Sequence, residues 1–228
     1  MEGSLRDPLE LTARVALALQ GSSTSLRCQG NIEEADRVAK WASWQRLAAE
    51  KPSLVRPFFA AVADASGCED DEAFLDRALE GAISVLRADF GNIQLVDRLH
   101  GSLRIAAQCG FGEDFLDHFA HVGDDGSACG RAAHARAQTV IPDVRRDPLF
   151  APHRKIAAAT GFRAVESTPI IDRGGQLLGV LSVHFRHPRR ASREELLLAE
   201  WYANRIGATL RARREAATNG FDGVTRSE

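Results

Sequence analysis

Apolar side chains recur along this chain with two different periods. Every third or fourth residue is the spacing of one helix face, and every second residue is that of one strand face. Phe74, Leu75, Ala78, Leu79, Ala82, Ile83 and Leu86 form a stripe that predicts a helix over residues 72–87. Leu196, Ala199, Ala203, Ile206 and Leu210 form another, predicting a long helix from a Ser192 cap to about Glu215. Glu194 and Glu195 fall in its first turn, where the helix dipole favours them. Strand patterns lie between these helices. Phe90–Asp97 alternates, with Asn92, Gln94 and Val96 on one face and Ile93 and Leu95 on the other, and Ser102–Gln108 returns after the turn at 98–101. Thr139–Ile141 predicts a short strand, and short helices are expected over 113–122, from Ser127, and over 151–160. Phe115, Leu116 and Phe119 share one side of the first of these.

The strongest local signal is a hairpin. Val165–Ile171 and Leu177–Phe185 are β-rich runs joined by Asp172-Arg-Gly-Gly-Gln176, whose glycines can take the positive φ of a tight turn. Both runs are apolar enough to be central strands, yet they carry Glu166, Thr168, Ser182 and His184 inward. Buried polar groups need partners, so these four point to a polar cavity against one sheet face.

Ahead of that region the patterns are helical: residues 9–20, a helix from an Asn31 cap to about Glu50, and a third opened by Pro52 and interrupted by Pro57. Trp41 and Trp44, three apart on the second helix, read as one packed seam. An acidic, turn-rich break at 64–72 divides a helical extension (1–68) from the main domain (69–215). The polar segment 216–228 reads as disordered.

Composition narrows the function. Lys+Arg (29) nearly balances Asp+Glu (31), for a net charge of −2, and nothing forms the basic face of a nucleic-acid binder. The arginines at 186–193 and 211–214 read as solvated surface. No apolar run approaches the ~20 residues of a membrane span, and residues 1–20 lack the pattern of a leader peptide, so a cytoplasmic protein is expected. Cys28, Cys68, Cys109 and Cys129 show no metal-finger spacing and are expected as free thiols.

Order and residues together resemble a GAF domain, a small-molecule-binding sensor module. The carriers are Gly91-Asn-Ile-Gln-Leu95, Gly110-Phe111, Ser127-Ala-Cys-Gly130, Ile141-Pro-Asp-Val144 with Asp147-Pro-Leu-Phe150, Val165–Pro169 and Leu178–Phe185. The resemblance covers about residues 70–215. It implies an α+β fold with a six-stranded antiparallel sheet, helices on one face and a ligand cavity on the other. It gathers Asn92, Gln94, Thr168, Ser182 and His184 on one side, and Glu166 stands where the nearest subgroup usually has Gln. Phe115, Phe119, Cys129 and Glu166 complete the expected ligand-binding set, with the cofactor unnamed.

The resemblance implies a sensor that binds a small molecule and signals through its terminal helices to a dimer mate or a partner protein. No kinase core, helix-turn-helix or cyclase accompanies it. A thiol-dependent reductase using Cys129 with Cys109 is the enzymatic alternative. A structural dimerisation module, its cavity filled by Phe115, Phe119, Phe150 and Phe162, is the inert one. Gly130 follows Cys129 where the bilin-binding branch usually has His, which argues against a bilin. His118, His121, His134 and His184 leave haem open, and the loop 123–130 presents a nest of backbone N–H groups to a small anion.

Overall fold

The structure, a computed structural model, describes residues 8–28, 31–123, 125–172 and 174–222. The chain divides into two compact units, residues 1–59 and 60–228. The first unit holds α1 (Pro8–Cys28), α2 (Ile32–Glu50) and the opening turns of α3 (Pro52–Ser66). Small side chains let α1 and α2 approach: Ala16, Ala35 and Ala42 are buried, and Ser23 Oγ donates to the Ala35 carbonyl at 2.7 Å. Trp41 stacks on Trp44 at 5.9 Å, and Trp44 meets Phe59 edge-on at 5.4 Å, so the tryptophans do form one seam. Asn31 occupies the cap position of α2 without a side-chain bond.

The division falls earlier than the acidic break, because the end of α3 packs into the second unit. Ala61 lies against Gly81, Asp64 pairs with Arg77 at 3.4 Å, and Arg213 bonds the Cys68 and Glu69 carbonyls. α4 (Asp71–Leu86) is capped by Asp70, whose carboxylate accepts from Ala73 N at 2.7 Å.

Five strands follow: β1 (Phe90–Asp97), β2 (Ser102–Cys109), β3 (Thr139–Ile141), β4 (Ala164–Ile171) and β5 (Leu177–Phe185). They form one antiparallel sheet in the order β2-β1-β5-β4-β3. Among the described residues there is no sixth strand. The segment after β2 turns at Gly110 (φ 86°) and returns only far enough for a single bridge between Leu103 and Val122. At Gly179 any Cβ would stand 2.1 Å from the Gln94 carbonyl, so glycine is required for β5 to pair with β1 there.

α4 and α8 (Arg193–Asp222) cover one face of the sheet. Tyr202, 1% exposed, donates its hydroxyl to the Ala78 carbonyl at 2.8 Å and locks the two helices together. Ser192 and Glu195 form a reciprocal capping box at the start of α8, with bonds of 3.1 and 2.8 Å. The helix runs to Asp222, well past Glu215; of the segment expected to be disordered, 216–222 is helical and 223–228 lies outside the described residues. The arginines of 186–193 and 211–214 are not all solvated. Arg211 bonds the buried Asp172 carboxylate at 2.7 Å, Arg213 covers the Phe74 ring, and Arg189 reaches Glu166 and Glu195.

On the other face lie α5 (Glu113–His118), α6 (Ala128–Ala135), a short 3-10 turn (Ala151–His153) and α7 (Arg154–Thr160). No helix among the described residues is long and apolar enough to cross a membrane.

Candidate functional site

Strand register decides which side chains face these short helices. On paired antiparallel strands, residues opposite one another project to the same side. Asn92 pairs with Ser182, Phe90 with His184, and Ser167 with Ser182, so one face carries Asn92, Ser167, Ser182 and His184. Against it Phe115 comes from α5, Phe119 follows that helix, Ser127, Ala128 and Cys129 come from the start of α6, and Phe150 and Phe162 flank the 3-10 turn and α7. Together they line a partly open cavity of about 10 Å³, room for roughly one water molecule.

The polar groups of this cavity fall into two sets. Ser167 and Ser182 share a 2.7 Å hydrogen bond, and Ser127 Oγ accepts from Gly130 N at 3.1 Å and contacts Cys129 Sγ at 3.3 Å. Asn92 Oδ1 and His184 Nδ1 are buried without a hydrogen-bond partner among the described residues. His184 sits in an aromatic box, its ring centroid 5.1 Å from Phe111, 5.8 Å from Phe115 and 4.7 Å from Phe162. Burial there pushes its pKa down to about 3, so the imidazole is neutral.

Six of the nine residues expected at the site line the cavity: Asn92, Phe115, Phe119, Cys129, Ser182 and His184. Gln94 is on the same face but fully buried, its Nε2 directed at the Phe119 carbonyl at 3.5 Å, where it supports the turn after α5. Glu166 and Thr168 are on the opposite face, toward α8. The reason is a bulge. Ile171 pairs with Leu177 but Ile170 pairs with Gly179, so one extra residue enters β5 just past the turn. That single residue exchanges the two faces of β4 against β5, which brings Ser167 to the cavity instead.

On the α8 side Glu166 is 5% exposed, and its oxygens accept no hydrogen bond; Arg189 Nε stands 3.2 Å from Oε1. Arg189 also donates to Glu195 at 2.7 Å. Burial, partly offset by Arg189 and reinforced by Glu195, pushes the Glu166 carboxyl up to about 7. Thr168 Oγ1 accepts from Gln138 Nε2 at 3.2 Å, and the same nitrogen donates to the Leu196 carbonyl of α8 at 2.9 Å.

The other histidines are elsewhere: His118 bonds His153 at 2.9 Å, His121 lies near His100, and His134 lies 3.8 Å from Asp125. Among the described residues no group of three His, Cys, Asp or Glu could hold a metal ion. Cys109 is exposed at the end of β2 and is not part of the cavity, whereas Cys129 is buried in its wall. Asp124 of the glycine-rich loop lies outside the described residues.

A five-stranded antiparallel sheet lies between a helical layer and a small cavity, an α+β arrangement. Residues 70–210 match the GAF domain family, and the chain belongs to it. A segment of 67 residues is 33% identical to a methyl sulfide methyltransferase-associated sensor of Methanosarcina acetivorans, covering 29% of this chain and 7% of that protein. The chain therefore spans only a small part of that relative's length. The GAF domain of a phosphoenolpyruvate-protein phosphotransferase from Coxiella burnetii superposes with a TM-score of 0.63 at 17% identity, over 72% of this chain and 96% of that one. Free methionine-R-sulfoxide reductase from Neisseria meningitidis, in complex with its substrate, gives 0.61 at 20% identity, over 73% and 94%. At these identities the solved structures establish the fold.

Proposed function

We propose that this GAF domain is a sensor that binds a small molecule in the cavity and passes its occupancy through β4 to α8. The observation that carries the reading is the pair of buried, unpartnered polar atoms, Asn92 Oδ1 and His184 Nδ1. Each costs about 1–3 kcal/mol if left unmatched. The four phenylalanines do fill most of the space, as a purely structural module would require, but such a module has no use for two unmatched polar groups at its centre.

The route outward is short. Ser167 faces the cavity, while its neighbours Glu166 and Thr168 face the first turn of α8 through Arg189–Glu195 and Gln138–Leu196. A shift of β4 would act on both connections at once, since both are made by its residues. α8 then presents the signal to a second copy or a partner protein, and the first unit by itself offers exposed Leu17, Ile32, Trp41 and Phe59 as an apolar contact surface. The likeness of a segment to a sensor supports this reading. Cys109 does not line the cavity with Cys129, which argues against a reductase that pairs the two.

A thermal-shift screen of metabolites against the full chain and the double variant Asn92→Leu/His184→Phe tests the reading. Compounds that stabilise the native chain and lose that effect in the variant are the expected result. A library in which every stabilising compound acts equally on both would overturn it.

A further inference from the structure

Resting on the reading of a ligand cavity, the lining limits what class of molecule enters. No formally charged side chain borders the cavity: its polar members are Asn92, Ser127, Ser167, Ser182 and a neutral His184. The nearby Arg131 lies outside the lining and bonds Asp147 through Nη1 at 3.0 Å, its Nη2 being buried without a partner among the described residues. A carboxylate, phosphate or ammonium would leave water without a countercharge, a desolvation cost of several kcal/mol.

Each serine hydroxyl already has a partner: Ser167 and Ser182 bond each other, with only one of the two O–H groups donating, and Ser127 serves Gly130 and Cys129. The lining groups with a buried polar atom that has no partner among the described residues are one primary amide and one neutral imidazole, Asn92 and His184, at 2% and 6% exposure. Asn92 opposes Ser182, two residues from His184, so the two are diagonal neighbours on one sheet face, with Cβ atoms roughly 7 Å apart. A ligand bridging them must offer hydrogen-bonding atoms on two sides of a compact frame.

The amide side chain carries a donor and an acceptor side by side, and its best match is another N–H/C=O edge, in which both bonds form at once. A neutral imidazole likewise has one donor and one acceptor nitrogen. The rest of the wall is aromatic, from Phe115, Phe119, Phe150 and Phe162, whose faces and edges suit a flat π-system. We propose that the cavity takes a small, planar, uncharged molecule with an adjacent N–H and C=O, a lactam or cyclic ureide, bridging Asn92 and His184.

At about 10 Å³ the cavity admits such a ring only if Phe115 and Phe119 swing outward. Phe115 belongs to a six-residue helix and Phe119 to the turn after it, which is tied to the sheet by Gln94 Nε2 at the Phe119 carbonyl and by the Leu103–Val122 bridge, so opening the cavity loosens those ties. Binding is thereby coupled to movement of α5.

The test is calorimetric titration of the full chain with uracil, its carboxylate analogue orotate, and toluene as a flat apolar control. Uracil should bind, with orotate and toluene at least tenfold weaker. Asn92→Leu and the shape-conserving Asn92→Asp should each weaken uracil tenfold or more, while their melting curves show a folded domain. Orotate or toluene binding as tightly as uracil would overturn the assigned class and leave the ligand cavity standing. So would uracil binding unchanged in both Asn92 variants. If none of the three binds at millimolar concentration, the lactam assignment fails, while the cavity reading is decided separately by the metabolite screen on the native chain and the Asn92→Leu/His184→Phe variant.

Discussion

The Ser167 and Ser182 hydroxyls meet at 2.7 Å across the β4–β5 pair, at 1% exposure each, and form the floor of the cavity. This hydrogen bond ties β5 to β4, the strand that touches α8. Ser167→Ala and Ser182→Ala should each destabilise the domain by about 1 kcal/mol in urea denaturation, and the double variant by less than the sum. Strict additivity would show that the bond contributes nothing.

Glu166 should make stability depend on pH around neutrality. Its folded pKa is raised to about 7 from 4.5, so its contribution is fully present below about 4.5 and is lost as pH rises through 7. Glu166→Gln should flatten the stability profile over that window. At pH 8 the variant should be more stable by up to about 3 kcal/mol, the equivalent of the shift. An unchanged slope would mean that the carboxyl is solvated in the folded protein.

His184 acts in the other direction. Its folded pKa is depressed to about 3 from 6.5, so the stability it confers is present above 6.5 and is lost as pH falls toward 3. His184→Phe should make acid denaturation over that range shallower. Thermal melts between pH 4 and pH 7 distinguish the two variants, because each removes a slope of opposite sign.

Arg189 stands between two carboxylates, so removing it should cost more than removing Glu166. Arg189→Gln leaves a buried carboxylate without its cation and should destabilise by about 3 kcal/mol at pH 8. Near pH 5 the loss should be smaller, because Glu166 is then protonated. Equal losses at both pH values would contradict the pairing.

Much of this was legible in the sequence. The stripes of α4 and α8, the five strands and the turn at 172–176 follow from periodicity and turn chemistry, because each is fixed by neighbours within a few residues. Asn92, Ser182 and His184 were recognisable because polar side chains are rare on central strands. Ser167 was hidden. Continuing the pairing of Ile171 with Leu177 without a break would set Glu166 opposite Ser182, but the extra residue in β5 sets Ser167 there. Nothing local to Val165–Phe185 announces that bulge; it depends on β1 pairing closely with Gly179. The arginines of α8 were misread for a related reason. A charge run looks solvated until a distant turn, here Asp172, is folded beneath it.

α8 is gripped along its length: near its start through Glu195 and Leu196, at Tyr202, and again at Arg211 and Arg213. The grips at Glu195 and Arg211 are sixteen residues apart, roughly 24 Å along the axis. A rod held at several points cannot swing about one without breaking the others. With no grip free to act as a hinge, a nudge delivered at β4 moves α8 as one body.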